Sequence, residues 1–137
     1  MGIIRPGTYS WTPGGALAIP AAGTYQTSVL DDMKGMASIT WYVNFVRTSG
    51  GTTFKANLQI SPDGGTTWRA IANHAFATTS AEKWHHIVNT VALTAGTPAA
   101  TIADNTIVAG ITGDRLRVEY IIVGTYVGTF QTSVIVS

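Results

Sequence analysis

Four stretches of this chain alternate apolar and polar side chains residue by residue. That period of two belongs to a strand with one face buried, and no helix can present it. In TTFKANLQI (52–60), Phe54, Ala56, Leu58 and Ile60 fall on one face, opposite Lys55, Asn57 and Gln59. SITWYVNFV groups Ile39, Trp41, Val43 and Phe45, and RLRVEYIIV groups Leu116, Val118, Tyr120 and Ile122. GTFQTSVIV groups Phe130, Thr132, Val134 and Val136. Threonine, valine, isoleucine and aromatic residues fill these runs, and they suit a pleated surface. Glycine-rich punctuation such as SGG (49–51), DGG (63–65) and TGD (112–114) separates them. The pattern predicts an all-β fold: an antiparallel β-sandwich, jelly-roll or immunoglobulin-like, of about 7–8 strands. The alternative to strand is strongest at TSAEKWHHI, where Ser80 is placed to cap one helical turn; from Trp84 onward the sequence reads as strand.

The 137 residues fit one domain with a core of its own. Residues 1–22 read as an extended N-terminal arm and 23–137 as a single β-sandwich. The arm is rich in proline and glycine, which argues against a regular strand there. Its Tyr9 and Trp11 either pack back on the domain or reach a neighbouring subunit. GTYQTSVLD (23–31) echoes GTFQTSVIV (128–136). Similar surroundings account for the echo more simply than pairing of the two segments in one sheet.

Charged residues are 11% of the chain, against roughly 25% in ordinary soluble domains. A surface so poor in charge is suited to being covered by other chains. The net charge of +1, with no basic run, gives no reason to expect nucleic acid. No apolar run reaches the roughly 18 residues of a membrane-spanning helix. Cysteine is absent, which excludes disulfides and thiolate metal sites. The opening MGIIRPGTYSW lacks the apolar core of a secretion signal, so synthesis in the cytoplasm is expected.

SPDGGTTW (61–68) is the most informative short segment. Pro62 presets a backbone angle, Asp63 accepts amide hydrogen bonds, and Gly64 and Gly65 take positive φ at little cost. Trp68 then opens the return strand and is expected to seal the core, as is Trp41. Ser61, Asp63, Gly65, Thr67 and Trp68 match the Asp-box, Ser-x-Asp-x-Gly-x-Thr-Trp. In sialidase-like propellers the resemblance implies a hairpin brace away from the active site. Several blades of roughly 40–50 residues each do not fit this length. The predicted hairpin-turn residues are therefore Ser61, Asp63, Gly64, Gly65, Thr67 and Trp68.

More widely, a strand, LQISPDGGTTW and a second strand, in a Thr- and Gly-rich, cysteine-free β domain, resemble small virion proteins of tailed phages. These include head decoration (cement) proteins and tail-associated β-sandwich modules. The resemblance implies a noncatalytic protein, residence in the virion after synthesis in a host bacterium, and binding to the major capsid protein or another virion protein as a trimer or dimer. The candidate interface residues are Ile3, Ile4, Tyr9, Trp11, Phe76 and Trp84, with the segment from Ala99 to Ile107.

Conventional chemistry is sparse. His85 and His86 are adjacent and point to opposite faces of a strand, so only one of them can join His74, with Glu82, around a metal. Exposed or hydrogen-bonded histidines are the simpler reading. Asp63, Asp104 and Asp114 stand in turn contexts, and Asp31-Asp32 lacks the surrounding pattern of a calcium loop. No nucleophile elbow, phosphate loop or dinucleotide fingerprint is present. No catalytic residue, cofactor or metal site is predicted. The alternatives to a virion protein are a receptor- or carbohydrate-binding module, with Trp84 as the exposed aromatic, and a small metal-dependent hydrolase or isomerase of sandwich or cupin type.

Overall fold

The structure, a computed structural model, describes residues 7–12, 15–31, 38–88, 101–108 and 113–137. Among these, nine strands and no helix form two antiparallel sheets packed face to face. The strands are β1 (Gly7–Ser10), β2 (Leu17–Ala18), β3 (Gly23–Gln26), β4 (Ser38–Gly50), β5 (Thr53–Ser61), β6 (Arg69–Ala75), β7 (Ala81–Val88), β8 (Arg115–Val123) and β9 (Tyr126–Val136). One sheet runs β1-β9-β4-β7, with β2 also on β9, and the other runs β3-β8-β5-β6. The β-sandwich expected from the alternation is the fold observed.

The four alternating runs become β4, β5, β8 and β9, which occupy the middle of the two sheets. Their inward residues make the core: Ile39, Trp41, Val43 and Phe45 of β4 are fully buried, as are Phe54 and Leu58 of β5. One end of this core is aromatic. Phe45 and Phe54 lie 4.7 Å apart between ring centres, with Phe76, Tyr126 and Phe130 around them.

Two expectations are corrected, and two open choices are decided. The arm is not a free extension over its described length: β1 pairs with β9 from Gly7↔Val136 to Ser10↔Ser133, closing the sheet edge. An edge strand needs only one row of ladder bonds, so the flanking proline and glycine do not prevent it. Tyr9 and Trp11 pack against the core, and Trp11 Nε1 donates to the Ser28 carbonyl at 3.0 Å. TSAEKWHHI holds no helical turn among the described residues. β7 begins at Ala81 because the whole segment pairs with β4, and the Ser80 hydroxyl accepts from the Arg47 amide instead of capping. Trp68 is only partly buried and lies outside the core, its ring under the Arg117 guanidinium at 4.2 Å. The two echoing segments lie in different sheets, β3 against β8 and β9 against β4, so similar surroundings are the account that stands.

Candidate functional site

The SPDGGTTW hairpin uses its polar groups on itself. The Ser61 hydroxyl is buried, donates to Asp63 Oδ1 at 3.0 Å and accepts the Gly65 amide at 2.7 Å. Asp63 accepts the Thr67 amide at 2.8 Å and the Thr67 hydroxyl at 2.7 Å. These bonds to the ionised carboxylate hold its pKa below the ordinary value, the Thr67 amide contributing most. Gly64 and Gly65 sit at φ +72° and +97°, which a side chain would strain. Each residue of the motif has a task in the turn.

The histidines divide as the strand geometry requires. His86 points outward, its Nδ1 2.7 Å from the Thr40 hydroxyl. His85 points between the sheets and stacks on His74 of β6, ring centres 4.2 Å apart and planes within 21°. Trp41 also packs against His74, ring centres again 4.2 Å apart, with the planes tilted by 35°. His74 is thus neither exposed nor hydrogen-bonded: neither of its ring nitrogens has a partner of normal geometry. Burial pushes its pKa down to about 3, aided by the neighbouring His85 and by Lys83 and opposed by the Trp41 backbone. Burial also lowers His85. The stacked rings lie in nearly parallel planes, and Glu82 is on the opposite face of β7, bonded by the Tyr42 hydroxyl at 3.2 Å. No cluster of three His, Asp or Glu residues suited to a metal occurs among the described residues.

The broadest functional candidate is the outward face of the β1-β9-β4-β7 sheet. The pairing register sets its rows: Thr8, Ile135, Thr40 and His86; then Ser10, Ser133, Tyr42 and Trp84; then Gln131, Asn44 and Glu82; then Thr129 and Val46. Among the described residues of these rows, Glu82 is the only Asp, Glu, Lys or Arg. Trp84 is 56% exposed and packs against Tyr42, with ring centres 4.3 Å apart and planes tilted by 41°. Val46 and Ile135 are exposed as well. The side-chain amides of Asn44 and Gln131 make no hydrogen bond to any described residue, so they remain available to an outside partner.

Of the interface residues expected from sequence, Trp84 alone lies at the centre of this face. Phe76 is corrected: it is 3% exposed, packed on Phe45 at 4.9 Å, and unavailable to a partner. Tyr9 and Trp11 are half-buried against the sandwich. Ile3 and Ile4 lie outside the described residues, as do Ala99 and Ala100 of the 99–107 segment. Its described part runs beside β6, where Asn73 donates to the Thr106 carbonyl and Ile107 is exposed. Tyr42 is the residue of the face that sequence reasoning passed over. Its place in SITWYVNFV, between the core positions Trp41 and Val43, already puts it on the outward side.

No family model, curated protein or solved structure matches the chain.

Proposed function

We propose that this chain is a noncatalytic structural protein of a phage virion, a head decoration protein that docks on the capsid lattice as an oligomer. The observation that carries the reading is the outward face of the β1-β9-β4-β7 sheet, with one carboxylate on rows otherwise made of Thr, Ser, Asn, Gln, apolar and aromatic side chains and a histidine. Burying such a face against a partner desolvates few charges, and Trp and Tyr are the residue types that anchor protein interfaces. At strand spacings of about 4.8 Å and rises of about 3.3 Å per residue, its flat extent is roughly 20 Å by 20 Å. That is about half of the ~800 Å² per partner of a stable one-to-one complex. One such contact is weak, and an oligomer presenting several copies to a repeating lattice turns weak contacts into strong avidity.

The test is mass in solution by light scattering, followed by co-sedimentation with purified phage capsids. The expected result is a dimer or trimer that pellets with capsids and loses this on Trp84→Ala. A monomer without lattice affinity overturns the proposal.

A second reading, a tail-associated or carbohydrate- and receptor-binding module, is favoured by one feature of the same face. The exposed Tyr42–Trp84 pair is flanked by Glu82 and by the free amides of Asn44 and Gln131. Selective, Trp84-dependent binding on a glycan array, with no capsid pelleting, selects it.

A further inference from the structure

A pocket of about 530 Å³ opens where β6 of one sheet gives way to β7 of the other. Its walls are Thr53 and Lys55 of β5, the end of β6 and the connection that follows it to Thr79, Lys83 of β7, and Asp104 with Asn105. The size is within the range of small-ligand sites. It lies apart from the outward face assigned above to protein contacts.

Two non-glycine residues at positive φ lie among the described residues, Ala77 at φ 50° and Asn105 at φ 56°, and both line this pocket. Alanine in that region costs free energy unless its surroundings hold it there. Here the Tyr126 hydroxyl donates to the Ala77 carbonyl, and the Thr79 amide donates to the Phe76 carbonyl. The shape of the pocket is therefore built in rather than left by loose packing.

Its polar inventory is unbalanced towards donors. Lys83 Nζ gives hydrogens to the Ala75 carbonyl and to Asn105 Oδ1 and has a third to offer. Lys55 Nζ pairs with Asp104 at 2.8 Å and keeps two. The Asn105 amide hydrogens and the hydroxyls of Thr53 and Thr79 have no partner among the described residues. The lining carries two ammonium groups against one carboxylate. Lys83 Nζ lies over the buried Phe76 ring, 5.0 Å from its centre, which fixes where the ammonium sits. Burial lowers the Lys83 pKa, a cost that a bound anion relieves.

One negative charge balances this lining. A phosphate at neutral pH brings nearly two charges, more than the lining balances. An amino acid brings an ammonium towards two lysines. A sugar with one carboxylate supplies the charge for the lysines and hydroxyls for Thr53, Thr79, Asn105 and Asp104. From the two lysines, the surplus of donors and the built backbone, we infer that this pocket binds an acidic monosaccharide, a uronic or sialic acid residue.

The test is titration of the full chain with D-glucuronate and with N-acetylneuraminate, followed by amide NMR, with glucose and inorganic phosphate in parallel. Saturable shifts at Ala77, Thr79 and Asn105 are expected for at least one acidic sugar at millimolar concentration. The same titration on Lys55→Gln, whose fold is checked by thermal melting, is expected to be weaker by at least about tenfold. Trp84→Ala is expected to bind as wild type, which separates this site from the outward face. Absence of saturable shifts with both acidic sugars overturns the inference. So do equal affinity for glucose, equal affinity for phosphate, and shifts centred on Trp84 instead. If Lys55→Gln does not fold, the site-specific wild-type shifts decide alone.

Discussion

Along β8, on the outer side of the β3-β8-β5-β6 sheet, Arg115, Arg117 and Glu119 follow one another, and Lys55 stands beside them on β5; the corresponding rows of the opposite sheet carry Glu82 alone. The charged face also pairs most of its charged groups within the chain. Arg115 pairs with Asp31, Lys55 pairs with Asp104, and Arg117 bonds Gln59 and covers Trp68. Gln26 donates to Glu119, and Asn73 to Asn57, so polar groups there are consumed within the chain. On the other face, the Asn44 and Gln131 amides are open and the Tyr42–Trp84 pair stands proud. Composition alone hides this difference. Among the described strands, the outward rows of one sheet carry Arg115, Arg117, Glu119 and Lys55 and those of the other Glu82 alone, and under the proposed function it is the cleared side that meets a partner.

The strongest way to break the comparison is to put charge where there is none. Ser133→Arg places a guanidinium beside Tyr42 at the centre of the cleared face. Thr24→Arg, exposed on β3, adds the same group to the charged face. Burying an unpaired charge at a contact costs several kcal/mol, so Ser133→Arg is expected to weaken capsid or self-association by about 100-fold. Thr24→Arg is expected to change it by less than about threefold. Co-sedimentation and light scattering read both. Equal effects from the two variants would show that the faces do not differ in use.

A second contrast is between two histidines, one at each depth. His86 sits on the outward face and His74 between the sheets. The unfolded chain takes up a proton at His74 near its ordinary pKa of 6.5, while the folded chain resists until about 3. The unfolded state therefore holds more protons between those values, and stability falls as pH falls through that window. By about pH 5 the loss at this residue is about 2 kcal/mol. Urea midpoints measured from neutral pH downward check it. His74→Phe keeps an aromatic ring against Trp41 and is expected to flatten the slope in part, the buried His85 supplying the remainder. A slope unchanged by His74→Phe would place the acid sensitivity elsewhere.

How far the molecule was legible follows from which forces are local. The alternating runs placed β4, β5, β8 and β9, with β5 and β8 within one residue at each end, because period two is a direct record of burial on one face. The β5–β6 hairpin was legible for a similar reason: Ser61, Asp63 and Thr67 bond within seven positions of one another. Pairing between distant segments left no such record. AEKW has the composition of a helix start, and only its register against β4, Phe45↔Ala81 to Ser38↔Val88, makes it strand. Phe76 stands just beyond β6 and reads as surface, yet the chain turns it onto Phe45. The lysine pocket was out of reach because it joins residues from Thr53 to Asn105 across both sheets.

Ser61→Ala probes whether the hairpin belongs to the fold alone. It removes a buried hydroxyl that accepts the Gly65 amide, at an expected cost of about 1–2 kcal/mol in the urea midpoint. Association by the folded variant is expected to be unchanged, since the hairpin joins strands of the charged sheet. A folded Ser61→Ala that fails to bind would move the hairpin from scaffold to site.

The smallest expected change is the stability of Trp84→Ala, and its smallness is what makes the variant useful. The ring is more than half exposed and its packing partner, Tyr42, retains its bond to Glu82. Losing an exposed aromatic pair costs about 0.5 kcal/mol, within the scatter of ordinary surface substitutions. A residue selected for folding would not leave a large apolar ring in water at so little gain. If the variant melts with wild type but no longer associates, the indole works for a partner. If stability instead falls by several kcal/mol, Trp84 is holding β7 on β4, and the cleared face loses the residue on which its assignment depends.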